Sequence, residues 1–169
     1  MPAIARKKLS HDKVVTDHRS LAAILSGLMV QGKTVVLTNG VFDLLHVGHV
    51  RCLEDARSRG DFLVVAVNAD KTVAKLKGKG LPVVPLDERM EVVAALGFVD
   101  YVTCFEEETA EQLLRSLRPS LYAKGTEYSL KTLPERETLK ELDIKAVFVG
   151  DKKSHGSSEM VQRIRRLKL

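Results

Sequence analysis

The sequence predicts an α/β fold in which a five-stranded parallel sheet carries helices on both of its faces. Short apolar runs alternate along the chain with amphipathic stretches of helical spacing, which is the order expected of strand–helix–strand units. Aromatic residues make up only 5% of the chain and Trp is absent, so the apolar runs are mainly Val, Leu, Ile and Ala. Such aliphatic strands suit a parallel sheet that is buried on both faces. A chain of 169 residues is long enough for one domain with a full core.

The first part of the chain predicts an arm followed by two helices and two strands. Residues 1–17 are polar and aperiodic, which indicates an extended or loosely held arm, and residues 18–169 are predicted to form a single domain. A helix begins at Ser20, because apolar side chains recur there at helical spacing, and Gly32 ends it. A buried strand then begins at Thr34, an amphipathic helix follows it, and the apolar run 62–67 predicts the second strand.

The second part of the chain predicts a loop, four helices and three strands. The segment 75–86 is rich in Lys, Gly and Pro and indicates a long, mobile basic loop. Asp87 is predicted to cap the helix that follows. Periodicity then predicts, in order, a strand over 100–105, a helix over 109–117, a strand over 120–123, a helix over 134–142, a strand over 145–149, and a last helix over 157–167 with the apolar face Met160, Val161, Ile164 and Leu167.

Charge and cysteine content restrict the class of protein. The net charge of +5 and the pI near 9.2 favour anionic ligands. Much of the excess lies in basic runs at 6–8 and 163–168, which we interpret as solvated surface, so no nucleic-acid partner is expected. No signal peptide or membrane-spanning run is visible, so no membrane partner is expected. Cys52 and Cys104 form neither a CxxC pair nor a disulfide framework, which predicts a reducing, cytoplasmic location.

The most informative stretch is 35–54, a buried strand that turns through polar residues into an amphipathic helix. This order places a helix N-terminus at the carboxyl edge of the sheet, where free N–H groups and the helix dipole favour a phosphate. His46 and His49 are three residues apart, so both imidazoles face one way from the first helical turn. Gly40 allows a tight turn, and Gly48 leaves room for a nucleotide. We therefore predict a site that holds a triphosphate and stabilises the charge that develops on it.

Other interpretations of these polar residues are open at this point. Two histidines near a helix start can be surface or capping residues. Two histidines three residues apart could also ligate zinc, although no third Cys or His follows at a suitable spacing. Asp43 could contact an acceptor's hydroxyl groups or a magnesium ion, or it could cap the coming helix.

The run Asn39–His49, NGVFDLLHVGH, resembles the signature of the cytidylyltransferase-like nucleotidyltransferases. The resemblance extends to 67–70, 76–89, 99–107 and 117–125, where it is most similar to the adenylyltransferases that make ADP-heptose from ATP and a heptose 1-phosphate. It implies a Rossmann-like three-layer fold with the HxGH motif at the start of the first core helix. It also implies nucleotidyl transfer to a sugar or polyol phosphate, a magnesium ion that accompanies the NTP, and a homo-oligomer.

The residues and the resemblance together suggest roles for individual positions. His46 and His49 would donate hydrogen bonds to phosphate oxygens, and Lys77 would close over a phosphate as the third catalytic residue. The nucleotide-binding residues would be Asn39, Gly40, Val41, Phe42, Gly48, His49, Lys124, Gly125, Ser157 and Ser158. The acceptor-binding residues would be Asp43, Asn68, Asp70, Lys77 and Arg89. Arg89 could instead brace the site, His155 is a further candidate phosphate donor, and no residue is predicted to hold a metal.

Two segments depart from the heptose pattern. The family's Lys-Gly-Gly-Asp-Tyr stands here as KGTEY at 124–128, and its Ser-Thr-Thr stands as Ser-Ser-Glu at 157–159. Both segments face the ligands in the family. The departures therefore affect which acceptor and which nucleotide base the site would bind. The leading prediction is AMP transfer from ATP to D-glycero-D-manno-heptose 1-phosphate. The alternatives are a CTP-dependent enzyme acting on glycerol 3-phosphate or a related polyol phosphate, and a non-catalytic nucleotide-binding module.

Overall fold

The structure is a computed structural model that describes residues 9–151 and 157–167. Its elements in chain order are α1 (Ser10–Lys13), α2 (His18–Val30), β1 (Val35–Gly40), α3 (Val47–Ser58), β2 (Phe62–Asn68), α4 (Asp70–Lys77), α5 (Leu86–Ala95), β3 (Tyr101–Phe105), α6 (Glu111–Leu117), β4 (Leu121–Gly125), α7 (Arg136–Glu141), β5 (Lys145–Val149) and α8 (Ser157–Arg166). The strands form one parallel sheet in the order β3-β2-β1-β4-β5. The predicted Rossmann-like α/β fold with a five-stranded parallel sheet is therefore confirmed.

Helices cover both faces of the sheet and enclose two apolar cores. On one face, α2, α6 and α7 pack over β1 and β4, with Leu21 and Leu25 of α2 fully buried. On the other face, α3 and α5 pack over β1 and β2, with Leu53 and Ala56 of α3 buried. The strand side chains in these cores are largely aliphatic, as expected for parallel strands that are covered on both sides.

Strands β1 and β4 separate near their carboxyl ends. The ladder between them joins Val36–Thr38 to Leu121–Ala123. In contrast, β1 stays paired with β2 as far as Gly40, and β4 stays paired with β5 as far as Gly125. The order in which the chain adds strands also changes side at this point. From β1 the chain adds β2 and β3 on one side, and it then adds β4 and β5 on the other side of β1. Such a switch point opens a crevice at the carboxyl edge, where open α/β sheets bind their ligands.

The predicted basic loop over 75–86 is wrong in its first part. α4 extends through Lys77, and Gly78 ends it with a φ of 103°. Within α4 only Thr72 and Val73 are buried, so the apolar stripe is too short for spacing to reveal the helix. Asp87 is not the cap of α5 either. Pro85 occupies that position, and Asp87 lies in the first turn, where its charge still favours the helix dipole.

Residues 9–17 of the predicted arm pack against the domain. α1 lies against α5, and the buried ammonium of Lys13 donates a hydrogen bond to the Leu96 carbonyl at 3.0 Å. The N–H of Val15 donates to the Val102 carbonyl of β3 at 2.8 Å. A loosely held arm is therefore the wrong description of these residues. The division of the chain at residue 17 stays a prediction.

The other predicted elements agree with the structure to within about two residues at each end. One difference bears on the site, because Lys124 lies inside β4 rather than beyond it. α8 is confirmed as a helix, and three residues of the predicted apolar face, Met160, Ile164 and Leu167, are exposed. Among the described residues, no helix is both long enough and apolar enough to cross a membrane.

Gly60 lies where the chain leaves α3 for β2, in close contact with β1. A Cβ at this position would lie 2.7 Å from Cγ2 of Val36 and 2.8 Å from the carbonyl oxygen of Thr34. Gly60→Ala is expected to destabilise the protein by about 1–3 kcal/mol, because the backbone at the start of a buried strand cannot move away from the added Cβ atom. Urea denaturation followed by circular dichroism measures the change in the free energy of unfolding.

Gly27→Ala is the matched control for this substitution. Gly27 is exposed in α2, and a Cβ there would meet nothing within 4 Å. Alanine at this helical position is expected to stabilise the protein by roughly 0.5–1 kcal/mol. Equal effects of the two substitutions would contradict the contact described at Gly60.

Candidate active site

His46 begins α3 as its N-cap residue. Its Nδ1 atom accepts a hydrogen bond from the N–H of Gly48 at 3.1 Å and so satisfies one of the free donors of the first turn. A neutral imidazole that accepts through Nδ1 carries its proton on Nε2. The capping bond therefore places the ring proton of His46 on Nε2. The capping interpretation and the functional interpretation of His46 are compatible.

The ring of His49 stacks on that of His46. The ring centroids are 3.9 Å apart and the planes meet at 25°, so the two imidazoles do face the same way from the first turn. The edge of Phe42 lies against the other side, with centroids 5.3 Å apart. Burial lowers the pKa of His49 to about 4, and the adjacent imidazole of His46 and ammonium of Lys77 further disfavour a positive charge on its ring. His49 is therefore neutral at pH 7 and donates hydrogen bonds without carrying charge.

The turn between β1 and α3 depends on a close contact between Gly40 and Phe42. Phe42 has a φ of 49°, in the left-handed region that side chains rarely adopt, and its ring is nevertheless buried. A Cβ at Gly40 would lie 2.9 Å from this ring. Gly40 thus provides space for the ring, which in turn supports the edge of His49. This steric role accounts for the Gly-x-Phe spacing of the turn.

Three polar side chains bridge the gap where β1 and β4 separate. Asn39 Oδ1 accepts hydrogen bonds from the Tyr122 hydroxyl at 2.6 Å and from Nζ of Lys124 at 3.1 Å. Nζ of Lys124 also lies 4.7 Å from the centroid of the Tyr128 ring. Burial lowers the pKa of the Lys124 ammonium, and the carboxylates of Glu135 and Glu127 oppose this shift. The network fixes a positive charge at the floor of the crevice.

Asp43 holds the segment between α4 and α5. Its Oδ1 atom accepts hydrogen bonds from the backbone N–H groups of Val83 and Val84, at 2.8 and 2.9 Å. The alternative in which Asp43 caps α3 is wrong, because His46 occupies the N-cap. The segment that carries Val83 and Val84 is thus tied to the β1–α3 turn. The predicted contact of Asp43 with an acceptor stays a prediction.

Arg89 is the buried brace of the site. It is 1% exposed, and its guanidinium donates hydrogen bonds to the carbonyls of Val84, Val41 and Asn68, at 2.9, 2.6 and 2.9 Å. It also forms an ion pair with Asp70 at 2.6 Å. These bonds connect the β1–α3 turn, the end of β2 and the segment before α5. The geometry therefore favours the bracing role for Arg89 and Asp70 over the predicted contact with an acceptor.

The crevice is a cleft of about 710 Å³ at the carboxyl edge of the sheet. Most of the predicted site residues line it, which are Asn39, Gly40, Val41, Phe42, Asp43, His46, Gly48, His49, Asn68, Lys77, Lys124 and Gly125. Lys77 reaches it from the last position of α4. Ser157 and Ser158 are in the first turn of α8, and their predicted contacts stay predictions. His155 lies outside the described residues.

The segment 124–128, which the resemblance places at the ligands, also brings Glu127 and Tyr128 to the cleft. The other lining residues were not predicted from the sequence, namely Thr38, Arg51, Cys52, Leu53, Leu76, Glu108, Pro134, Glu135, Val149, Gly150 and Asp151. Helical spacing could have identified Arg51, since it lies one turn beyond Gly48 on the same side of α3. Nothing local could have identified Glu135, because only the packing of α7 brings it to the cleft. Cys52 is not a candidate nucleophile, since burial raises its pKa to about 11.

The zinc alternative concerns how the two histidines of the cleft are arranged. No group of three or more His, Cys, Asp or Glu side chains that could hold a metal occurs among the described residues. Nδ1 of His46 already accepts from the Gly48 N–H, and its ring stacks on that of His49, whereas in a zinc site the ring nitrogens point at one ion. The described geometry of the histidine pair therefore favours anion binding.

The Rossmann-like sheet, the cleft at its switch point and the paired imidazoles at the N-terminus of α3 define an α/β protein built to bind phosphate groups. A sequence profile of the Cytidylyltransferase-like family matches residues 37–166, and the chain belongs to this family. Membership supports the predicted class of enzyme, a nucleotidyltransferase.

Two curated proteins and one solved structure show which members of the family this chain is similar to. The bifunctional protein HldE of Geobacter sulfurreducens is 40% identical over 144 residues, which cover 85% of this chain and 29% of the relative. The protein of the same name from Aliarcobacter butzleri is 42% identical over 153 residues, which cover 90% and 31%. This chain thus spans about a third of the length of these relatives. A solved lipopolysaccharide core biosynthesis protein from Thermoplasma volcanium is 26% identical with a TM-score of 0.61, covering 72% of this chain and 100% of that one.

The lowered pKa of His49 predicts a loss of stability in mild acid. The unfolded chain binds a proton at His49 near the ordinary pKa of 6.5, whereas the folded protein resists protonation down to about 4. The stability that His49 contributes is therefore complete above pH 6.5 and decreases as the pH falls from 6.5 towards 4. In His49→Gln, the free energy of unfolding should decrease less between pH 7 and pH 4.5 than in the wild type. Urea denaturation at each pH measures both decreases, and equal decreases would contradict the neutral, buried state of His49.

Proposed function

We propose that the protein transfers a nucleotidyl group from an NTP to a phosphorylated sugar and releases pyrophosphate. The leading reaction is AMP transfer from ATP to D-glycero-D-manno-heptose 1-phosphate, which would give ADP-heptose. The resemblance to HldE and to a protein of lipopolysaccharide core biosynthesis supports the choice of a heptose phosphate. The observation that carries the proposed chemistry is the pair of stacked imidazoles at the N-terminus of α3.

The proposed reaction needs charge stabilisation more than it needs a base. An acceptor phosphate oxygen is already an anion, so it can attack the α-phosphorus without losing a proton. The protein then has to hold two polyanions in line and to stabilise the charge that gathers on the α-phosphate and on the leaving pyrophosphate. His46 and His49 supply neutral N–H donors for this purpose. A neutral donor binds the growing charge without competing as an acid.

The cationic side chains of the cleft support the same reaction. Lys77 at the end of α4 and Lys124 in β4 reach the cleft from either side of β1. Two ammonium groups that line one cleft suit the binding of polyanionic substrates. A magnesium ion would accompany the triphosphate. Two free cysteines are consistent with a reducing, cytoplasmic compartment.

Substitution of the two histidines tests the proposed function. His46→Ala and His49→Ala are each expected to slow turnover at least about 100-fold, because each removes one hydrogen-bond donor to the transition state. His46→Asn is the matched control for the capping bond, since an Asn side chain can accept from the Gly48 N–H but lacks the imidazole donor. It should retain the wild-type melting temperature and still lose the same activity. Near-normal turnover in all three variants would contradict the assignment.

A panel assay tests which nucleotide and which acceptor phosphate the protein uses. Wild-type protein with Mg²⁺ receives ATP or CTP together with D-glycero-D-manno-heptose 1-phosphate, glycerol 3-phosphate or other sugar phosphates, and released pyrophosphate is measured. Release with ATP and the heptose phosphate is the expected result. Release with CTP and glycerol 3-phosphate would favour the cytidylyltransferase alternative. Nucleotide binding without release for any acceptor would favour the non-catalytic module.

A further inference from the structure

Asn39 and Lys124 are the first residues beyond the ladder that joins β1 to β4. That ladder pairs Val36–Thr38 with Leu121–Ala123 and ends there. Tyr122 and Lys124 are two residues apart in β4, so their side chains leave the sheet on the same face. Both donate hydrogen bonds across the gap to one atom, Oδ1 of Asn39, at 2.6 and 3.1 Å. A single amide therefore connects the two strands at the point where their backbones separate.

The orientation of the Asn39 amide follows from its two partners. The oxygen and nitrogen of an amide are told apart by the hydrogen bonds that they make. The Lys124 ammonium can only donate, so the amide atom that faces it is the oxygen. Two oxygens 2.6 Å apart need a proton between them, and the Tyr122 hydroxyl supplies it. The direction of the carbonyl is therefore fixed, and with it the direction of the NH₂ group.

Tyr122 holds its hydroxyl in a fixed place and keeps it protonated. The residue is fully buried in the core beneath α2, α6 and α7. Burial raises the pKa of Tyr122, and the charge and hydrogen bond of the nearby Glu135 carboxylate raise it further. The hydroxyl is therefore a permanent donor at neutral pH. Asn39, in contrast, is half-buried at the edge of the cleft, where its amide would have more freedom without this anchor.

The NH₂ group of Asn39 is not used by the fold. Within the described part of the chain, the Asn39 side chain makes the two hydrogen bonds to its oxygen and no other. Its Nδ2 atom is also not among the described polar atoms that are buried without a partner, so it is open to solvent. Asn39 and Lys124 both line the cleft. An amide NH₂ group and an ammonium group thus lie side by side, which is a donor set suited to an anionic oxygen.

We propose that Nδ2 of Asn39 donates a hydrogen bond to a phosphate oxygen of a bound substrate, and that Tyr122 is the positioning residue that holds the amide for this contact. Without the Tyr122 hydroxyl, Lys124 alone holds the amide, which can then turn with the ammonium group. The inference rests on the proposed function, which supplies two phosphate sources, the triphosphate of a nucleotide and the phosphate of a sugar. Both present the same anionic oxygens, so the experiment uses one ligand of each kind.

Calorimetric titration of Asn39→Ala, Tyr122→Phe and the double variant tests the inference without turnover. Asn39→Ala removes the donor and should raise the dissociation constant of MgATP or of D-glycero-D-manno-heptose 1-phosphate roughly 10- to 100-fold, the range for one hydrogen bond to a charged group. Tyr122→Phe removes only the hydroxyl and should raise the same constant about 3- to 10-fold. In the Asn39→Ala background it should add less than about twofold, because Tyr122 acts through the amide. Additive losses would show that Tyr122 acts by another route, such as its contact with Glu135, and would overturn the inference.

Tyr101→Phe is the matched control. Tyr101 is buried in the same core as Tyr122, but it begins β3 and does not line the cleft. Both dissociation constants should equal those of the wild type in this variant, whatever its melting temperature. Tyr122→Phe should melt about 2–4 °C below the wild type, the cost of one buried hydrogen bond in a domain of this size. A lower melting temperature with both dissociation constants unchanged would show that the Tyr122 hydroxyl serves the fold alone and would overturn the inference.

A second arm observes the amide of the wild-type protein directly. The side-chain NH₂ resonances of Asn39, identified by their absence from the spectrum of Asn39→Ala, are followed by nitrogen-15 NMR during separate titrations with MgATP and with the heptose phosphate. A shift with at least one ligand is expected, and it identifies the phosphate that Asn39 contacts. Saturation with each ligand that leaves these resonances unchanged would overturn the inference, as would a wild type that binds neither ligand. Binding with the expected losses but without pyrophosphate release in the panel assay would contradict only the proposed function.

Discussion

A single hydrogen bond, from the Gly48 N–H to Nδ1 of His46, sets the chemistry of the whole site. It starts α3 at the carboxyl edge of the sheet and thereby directs the positive end of the helix dipole into the cleft. The same bond fixes the ring proton of His46 on Nε2. The stack with His49 then holds a second neutral ring against the first, with the two planes at 25°. Local backbone geometry and the choice of proton donor are thus consequences of one contact.

The rest of the molecule keeps this helix start in place and leaves space beside it. Arg89 connects three backbone carbonyls around the turn, and Asp43 ties down the segment that follows α4. The separation of β1 and β4 opens the cleft, and Asn39 and Lys124 bridge its floor. Rigid support on one side and an open edge on the other are what a site needs if it is to align two charged substrates.

The sequence was most informative where structure is local. β5 and the strand–turn–helix around His46 follow from apolar runs and capping chemistry, and both were predicted. α4 was missed because it buries too few residues to show helical spacing. A bracing role for Arg89 was one of the alternatives, but most of the partners of Asp43 and Arg89 could not be predicted, because they lie between 19 and 48 residues away in sequence. Only the folded chain brings such partners together.

Nitrogen-15 NMR of the imidazole rings during a titration with Mg²⁺ and ATP or CTP tests the central claim most directly. In the free protein, Nδ1 of His46 should have the shift of an unprotonated acceptor, and the ring of His49 should be neutral at pH 7. Binding of the nucleotide should move the ring N–H resonances of both histidines. Saturation with nucleotide that leaves both sets of resonances unchanged would contradict the account.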